Sequence, residues 1–212
     1  MMPKQEAYRK QAEKVMAQMK KRHFDPYYCD TKEDAFNKVL EIMEKGSSVA
    51  NGGSVTLMET GILEYVKSHP EEYTYIPRSG KTDEERRAGH AKAMMADYYL
   101  MSSNAFTEDG KLVNIDGNGN RVSALCYGPK YVIVVVSMNK MVPDEESAYK
   151  RIREKACPPN CIRLGYETPC RETGFCAECT STASICDLFV TVRLSRYEGR
   201  IKVILVGEEL GY

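Results

Sequence analysis

The run Tyr131-Val-Ile-Val-Val-Val136 constrains this chain more than any other segment. Side chains of a strand point alternately to opposite faces, so a strand with one wet face alternates apolar and polar residues. Here both parities are β-branched and apolar, so both faces must be covered. That is the mark of an interior strand of a parallel sheet with helices on either side. The run is strand-sized, and no uninterrupted apolar stretch reaches the ~20 residues of a membrane-spanning helix. With 212 residues, the chain has room for one domain, or one domain with a small appendage.

The surrounding pattern agrees with an α/β fold. Residues 4–22 carry Tyr8, Ala12, Val15, Met16 and Met19 at helical spacing, with a basic opposite face. The stretch 23–30 contains Pro26 and reads as a linker, so residues 1–30 are expected to form a helical extension and 31–212 the main domain. Thr31 with Asp34 and Thr82 with Glu85 are capping boxes for two further helices, the second running through about residue 96. Strands are expected at 47–50, 73–76, 97–101, 111–115, 131–136, 188–194 and 201–206. Helices are expected at 121–127 and from Asp144 through Lys155. Strands alternating with helices argue for a largely parallel sheet.

Composition excludes several classes. Hydrophobic residues make up 42% and charged residues 28%, too apolar for wholesale disorder. Thirty basic residues balance thirty acidic ones, which argues against nucleic acid as a partner. The charged start is not followed by an apolar block, so no secretory signal is visible and a cytoplasmic location is expected.

Three segments carry candidate chemistry. Asn51-Gly52-Gly53-Ser54 follows a strand and precedes a helix, where an open α/β sheet places ligands. Its glycines let backbone N–H groups approach an anion, although an ordinary turn has the same composition. The 104–121 segment packs amides, carboxylates, glycines and Arg121 around a hairpin-like unit, as a small polar ligand requires. Six of the eight cysteines fall within thirty residues: Cys157, Cys161, Cys170, Cys176, Cys179 and Cys186. Cys170-x5-Cys176-x2-Cys179-x6-Cys186 supplies four thiolates, the number that closes a tetrahedral zinc site or holds a four-iron cluster. Metal ligation, a disulfide or redox pair, and plain reduced thiols all remain open.

From about residue 31 onward the chain resembles the LUD-domain (lactate utilisation) family. The resemblance is carried by Gly52-Gly53-Ser54-Val55-Thr56 with Glu59 and Gly61, and by Asn104 with Asp116-Gly-Asn-Gly-Asn120-Arg121-Val122. Tyr127-Gly-Pro-Lys130, Asn139-Lys140 and Val206-Gly-Glu208 with Leu210-Gly211 add to it. Thr168-Pro-Cys170 and Thr173-Gly174 resemble a cysteine-containing subset of that family. The resemblance implies a NagB/RpiA/CoA transferase-like fold, shared by sugar-phosphate isomerases, glucosamine-phosphate deaminases and CoA transferases. It implies that both loops flank one pocket for a small anionic metabolite. Gly52, Gly53 and Ser54 would hold the anion, and Asn120 and Arg121 a carboxylate. Asn104 and Glu108 would be catalytic, while Asn114 and Asp116 would bind ligand or fix the loop.

Cys170, Cys176, Cys179 and Cys186 would hold an Fe–S cluster of the 4Fe–4S type, with zinc as the alternative. The leading expectation is an accessory or electron-transfer component in oxidation of lactate or a related hydroxy acid, working with other lactate-utilisation subunits or as a homo-oligomer. The alternatives are an isomerase or transferase using Glu108 on a phosphorylated or CoA-linked substrate, and a non-catalytic subunit with structural zinc.

Overall fold

The computed structural model describes residues 3–212. Six strands build the central sheet: β1 (Asp25–Cys29), β2 (Ser48–Asn51), β3 (Thr74–Tyr75), β4 (Tyr98–Met101), β7 (Tyr131–Ser137) and β10 (Ile201–Val206). Their order is β1-β10-β7-β4-β2-β3, and every neighbouring pair is parallel. β7 lies in the interior, flanked by β10 and β4, as its two-sided apolar run requires.

The parity of β7 divides the core into two layers. Val132, Val134 and Val136 face α1 (Pro3–Lys21), α5 (Asp83–Ala93) and α6 (Asn120–Cys126), packing with Ala12, Val15, Met19, Ala93 and Leu125. Ile133 and Val135 face α2 (Lys32–Ile42), α3 (Val55–Glu59) and α4 (Ile62–Ser68), packing with Val39, Leu57, Ile62 and Val66. All five side chains from Val132 to Val136 are fully buried. At about 1.5–3 kcal/mol for each, their burial rivals the ~5–15 kcal/mol net stability of a typical domain. Neither helical layer is dispensable.

The N-terminal segment is built into this core. Ala12, Val15 and Met19 recur at helical spacing and are buried. Arg22 then fastens the end of α1: its Nε donates to Asp109 O at 2.6 Å, its Nη2 to Asp109 Oδ2 at 2.7 Å and its Nη1 to Arg193 O at 3.0 Å. The stretch expected as a linker contains β1, which pairs with β10 from Asp25 to Cys29. Pro26 gives the sequence its linker look, but an edge strand accommodates proline because only one side of its ladder is used. The capping boxes at Thr31/Asp34 and Thr82/Glu85 both form.

A second sheet sits beside the first. It consists of β5 (Ala105–Thr107), β6 (Leu112–Asp116), β8 (Met141–Val142) and β9 (Leu188–Val192), in the order β8-β5-β6-β9. β6 is antiparallel to both β5 and β9, so the penultimate strand does not join the parallel sheet. α7 (Glu145–Arg151) covers this sheet, with Ala148 and Ile152 against Ala105, Val113 and Ile115.

The helix expected to end near Lys155 instead passes through a π turn, Ile152–Ala156, into α8 (Cys157–Leu164). Pro158 and Pro159 lack the N–H groups an unbroken helix needs, so the register resets and the prolines occupy the first turn of the new helix. Gly165, at φ 71°, ends α8, and α9 (Pro169–Thr173) follows. Among the described residues no helix is long and apolar enough to cross a membrane.

If α1 belongs to the core, Met19→Ala should lower unfolding stability by about 2–5 kcal/mol, the usual range for truncating a buried methionine. Urea denaturation checks this, and an appended helix would leave the midpoint unchanged.

Candidate functional site

A cleft of about 930 Å³ opens at the carboxyl ends of β2, β4 and β7. Loop 51–54 forms one wall and the 104–121 segment another, so the structure brings the two expected loops together. Gly52 is tied back by its N–H to Leu100 O at 2.9 Å. A Cβ at Gly52 would come within 2.9 Å of Arg121 Cγ, so the close approach of the two loops requires glycine there. The Gly53 and Ser54 N–H groups bond no described residue. The Ser54 hydroxyl caps α3, accepting from Leu57 N at 3.2 Å.

Arg121 is the hub of the second loop, and it is only 8% exposed. Its Nε donates to Asp116 Oδ2 at 3.1 Å. Nη1 donates to Ser102 O at 3.1 Å and Asn114 Oδ1 at 2.6 Å, and Nη2 to Asn104 Oδ1 and Ile115 O, both at 2.8 Å. A guanidinium has five N–H donors, and all five are spent. Arg121 therefore does not clamp a ligand carboxylate, as expected from the sequence; it holds the loop.

Asp116 completes the arrangement by accepting from Gly119 N at 2.8 Å. Asn114 is fully buried behind the wall, whereas Asp116 and Asn120 line the cleft. Asn104 also lines it. Its oxygen is held by Arg121 and Ile115 N, while its Nδ2 donates to no described residue. Glu108 is not brought to the cleft. It sits exposed in the β5–β6 turn, with its N–H on Val142 O at 2.9 Å.

Two cations that the sequence analysis did not place in the site face the cleft. Arg78 is half-buried, and its guanidinium makes no hydrogen bond or ion pair with a described residue. It lies over Gly53, where a Cβ would stand 3.4 Å from Arg78 Nη2. Lys140 follows the end of β7 in a single 3-10 turn and is only 4% exposed. Its Nζ donates to Thr56 Oγ1 at 2.9 Å and makes no ion pair with a described residue. Burial pulls the Lys140 amine down to about 7; Arg151 and Arg121 act in the same direction and Glu59 against it. A lysine immediately beyond a fully apolar interior strand was the available signal.

The LUD domain model matches residues 12–206 of this chain. The chain belongs to the LUD-domain family. That family is related to lactate utilisation. A crystal structure of a DUF162 family protein from Deinococcus radiodurans aligns with a TM-score of 0.55 at 10% identity, covering 94% of this chain and 98% of that one. At such identity the likeness shows the shared fold. No curated protein matches.

The cysteines of this LUD domain are arranged differently from the expected four-thiolate centre. Cys157 and Cys186 are hydrogen-bonded, sulfur to sulfur, at 3.3 Å. That shared proton, with burial, pushes Cys157 well up, while the same bond holds Cys186 down. Cys161 lies one helical turn beyond Cys157 on α8 and is raised to about 11 by burial. Cys170 is bonded to Thr168 Oγ1 at 3.3 Å. Cys176 instead accepts from Arg153 Nε at 3.4 Å, and Cys179 is half-exposed. Among the described residues no three His, Cys, Asp or Glu side chains gather into a metal cage. The sulfurs that act on one another are those of Cys157, Cys161, Cys170 and Cys186, while Cys176 is engaged by Arg153.

Two expectations follow. Arg121→Met should cost about 3–5 kcal/mol, because Asp116 would be left buried without its cation; denaturant unfolding reads the loss. The unfolded chain keeps a proton on Lys140 up to the ordinary value of 10.5, the folded chain only up to about 7. Between those values the unfolded state binds more protons, so this group's contribution to stability rises with pH. The stability of wild type relative to Lys140→Met should therefore increase between about pH 6 and about pH 10, measured by denaturation at each pH.

Proposed function

We propose that this LUD-domain protein holds a small anionic metabolite, a short hydroxy acid or related carboxylate, in the cleft at Gly53, Arg78 and Lys140. It would serve as the ligand-binding component in oxidation of lactate or a related hydroxy acid. The carrying observation is the half-buried Arg78 guanidinium, which bonds no described residue and lies over Gly53 with its free N–H. A half-buried cation that no described residue pairs is open to a ligand, and a carboxylate would make two charge-assisted hydrogen bonds to it at once. The lining favours an anion: Arg121 and Asp116 pair with each other, which leaves Lys67, Arg78, Lys140 and Arg163 against Glu64.

The alternative of an isomerase or transferase relied on Glu108 as base or nucleophile, and its exposed turn gives that reading no support.

Arg78→Ala should weaken binding of L-lactate or a related hydroxy acid by about ten- to a hundredfold, the worth of hydrogen bonds to a charged group, with the melting temperature unchanged. Gly53→Val should also weaken binding, since its side chain would fill the space beneath Arg78. Calorimetric titration decides: equal affinity in wild type and Arg78→Ala would overturn the assignment.

A further inference from the structure

Lys140 does more in this cleft than a charge anchor would. A structural lysine normally satisfies its ammonium with carboxylates or several carbonyls, because it carries three N–H donors. Lys140 is 4% exposed, has one described hydrogen-bond partner, Thr56 Oγ1 at 2.9 Å, and has no ion-pair partner. The charged groups acting on it are Arg151 and Arg121, with Glu59 opposed. The two arginines and the loss of water both favour a neutral amine, and a neutral amine in a desolvated site is the form in which lysine becomes a nucleophile. Its amine borders the space that Arg78 also faces.

We infer that Lys140 is a nucleophile that condenses with the keto carbon of a short 2-oxo acid, forming an imine inside the cleft. This rests on the reading of the cleft as a carboxylate site. The Arg78 guanidinium would hold the carboxylate, leaving the adjacent keto group for the amine. The nitrogen lone pair of Lys140 attacks C2, and the C2–N bond forms as the carbonyl π pair moves to oxygen. That oxygen collects the two protons the nitrogen gives up and leaves as water. The product is a C2=N imine; nothing is oxidised or reduced, and no other reactant is needed. A 2-hydroxy acid lacks the keto carbon, so it binds in the same place without reacting. The cleft thus distinguishes the two oxidation states of one carbon skeleton, holding the oxidised one covalently.

Borohydride trapping tests this on the full chain. The protein is incubated with pyruvate, reduced with sodium borohydride, digested and mapped by mass spectrometry. In parallel, calorimetry follows pyruvate and L-lactate binding without reductant. The expected result is a carboxyethyl-lysine at position 140, at least about tenfold above any other lysine, and none after incubation with L-lactate. Lys140→Arg should abolish the adduct while its circular dichroism persists. If that variant does not fold, site mapping on the wild type alone decides. Binding of both acids without an adduct at position 140, or labelling spread evenly over surface lysines, would overturn the nucleophile and leave the carboxylate site standing. Binding of neither acid would overturn the carboxylate site itself.

Discussion

The two sheets of this protein meet at one buried guanidinium. Arg121 reaches the end of β4 through Ser102 and Asn104, and β6 through Asn114, Ile115 and Asp116. Gly52 lies against its side chain because no Cβ stands in the way. Removing a guanidinium that bonds five acceptors would leave the Asp116 carboxylate buried without its cation, so the loops cannot drift apart without a large penalty. The cleft is the space left over when these loops are fixed, and its walls are therefore pre-formed.

That division of labour explains why the polar segments carry less chemistry than their composition promises. The Ser54 hydroxyl, the Asn114 side-chain oxygen, the Asp116 carboxylate and the Arg121 guanidinium are engaged by the scaffold. The groups left for a ligand are the plainer ones: a glycine N–H, the Asn104 amide nitrogen, and the cations of Arg78 and Lys140. Arg78 stands in a short Pro-Arg-Ser-Gly loop with no motif around it, and only the fold brings it over Gly53.

Much of the architecture was legible in the sequence because it follows from local rules. The apolar parity of Tyr131–Val136 dictated an interior strand, and the Thr31 and Thr82 capping boxes marked real helix starts. What escaped depended on tertiary context. β1 hid behind Pro26, β9 went to a second sheet, and the π turn before Pro158 carried a helix past its expected end. The cysteine spacing was visible, but spacing along the chain does not say which sulfurs meet. α8 turns Cys157 inward to Cys186, while Arg153 engages Cys176. The cleft's loops were found from sequence; which of their residues remain free for a ligand emerged only from a count of donors and acceptors.

The central claim is that a carboxylate settles between loop 51–54, the Arg78 loop and the end of β7. Hydrogen–deuterium exchange with and without saturating L-lactate or pyruvate tests it directly. The account predicts slower exchange confined to the amides around 52–56, 76–80 and 138–141, with the β5–β6 turn at Glu108 unchanged. Protection centred on that turn, or no change in the three segments at saturating ligand, would contradict it.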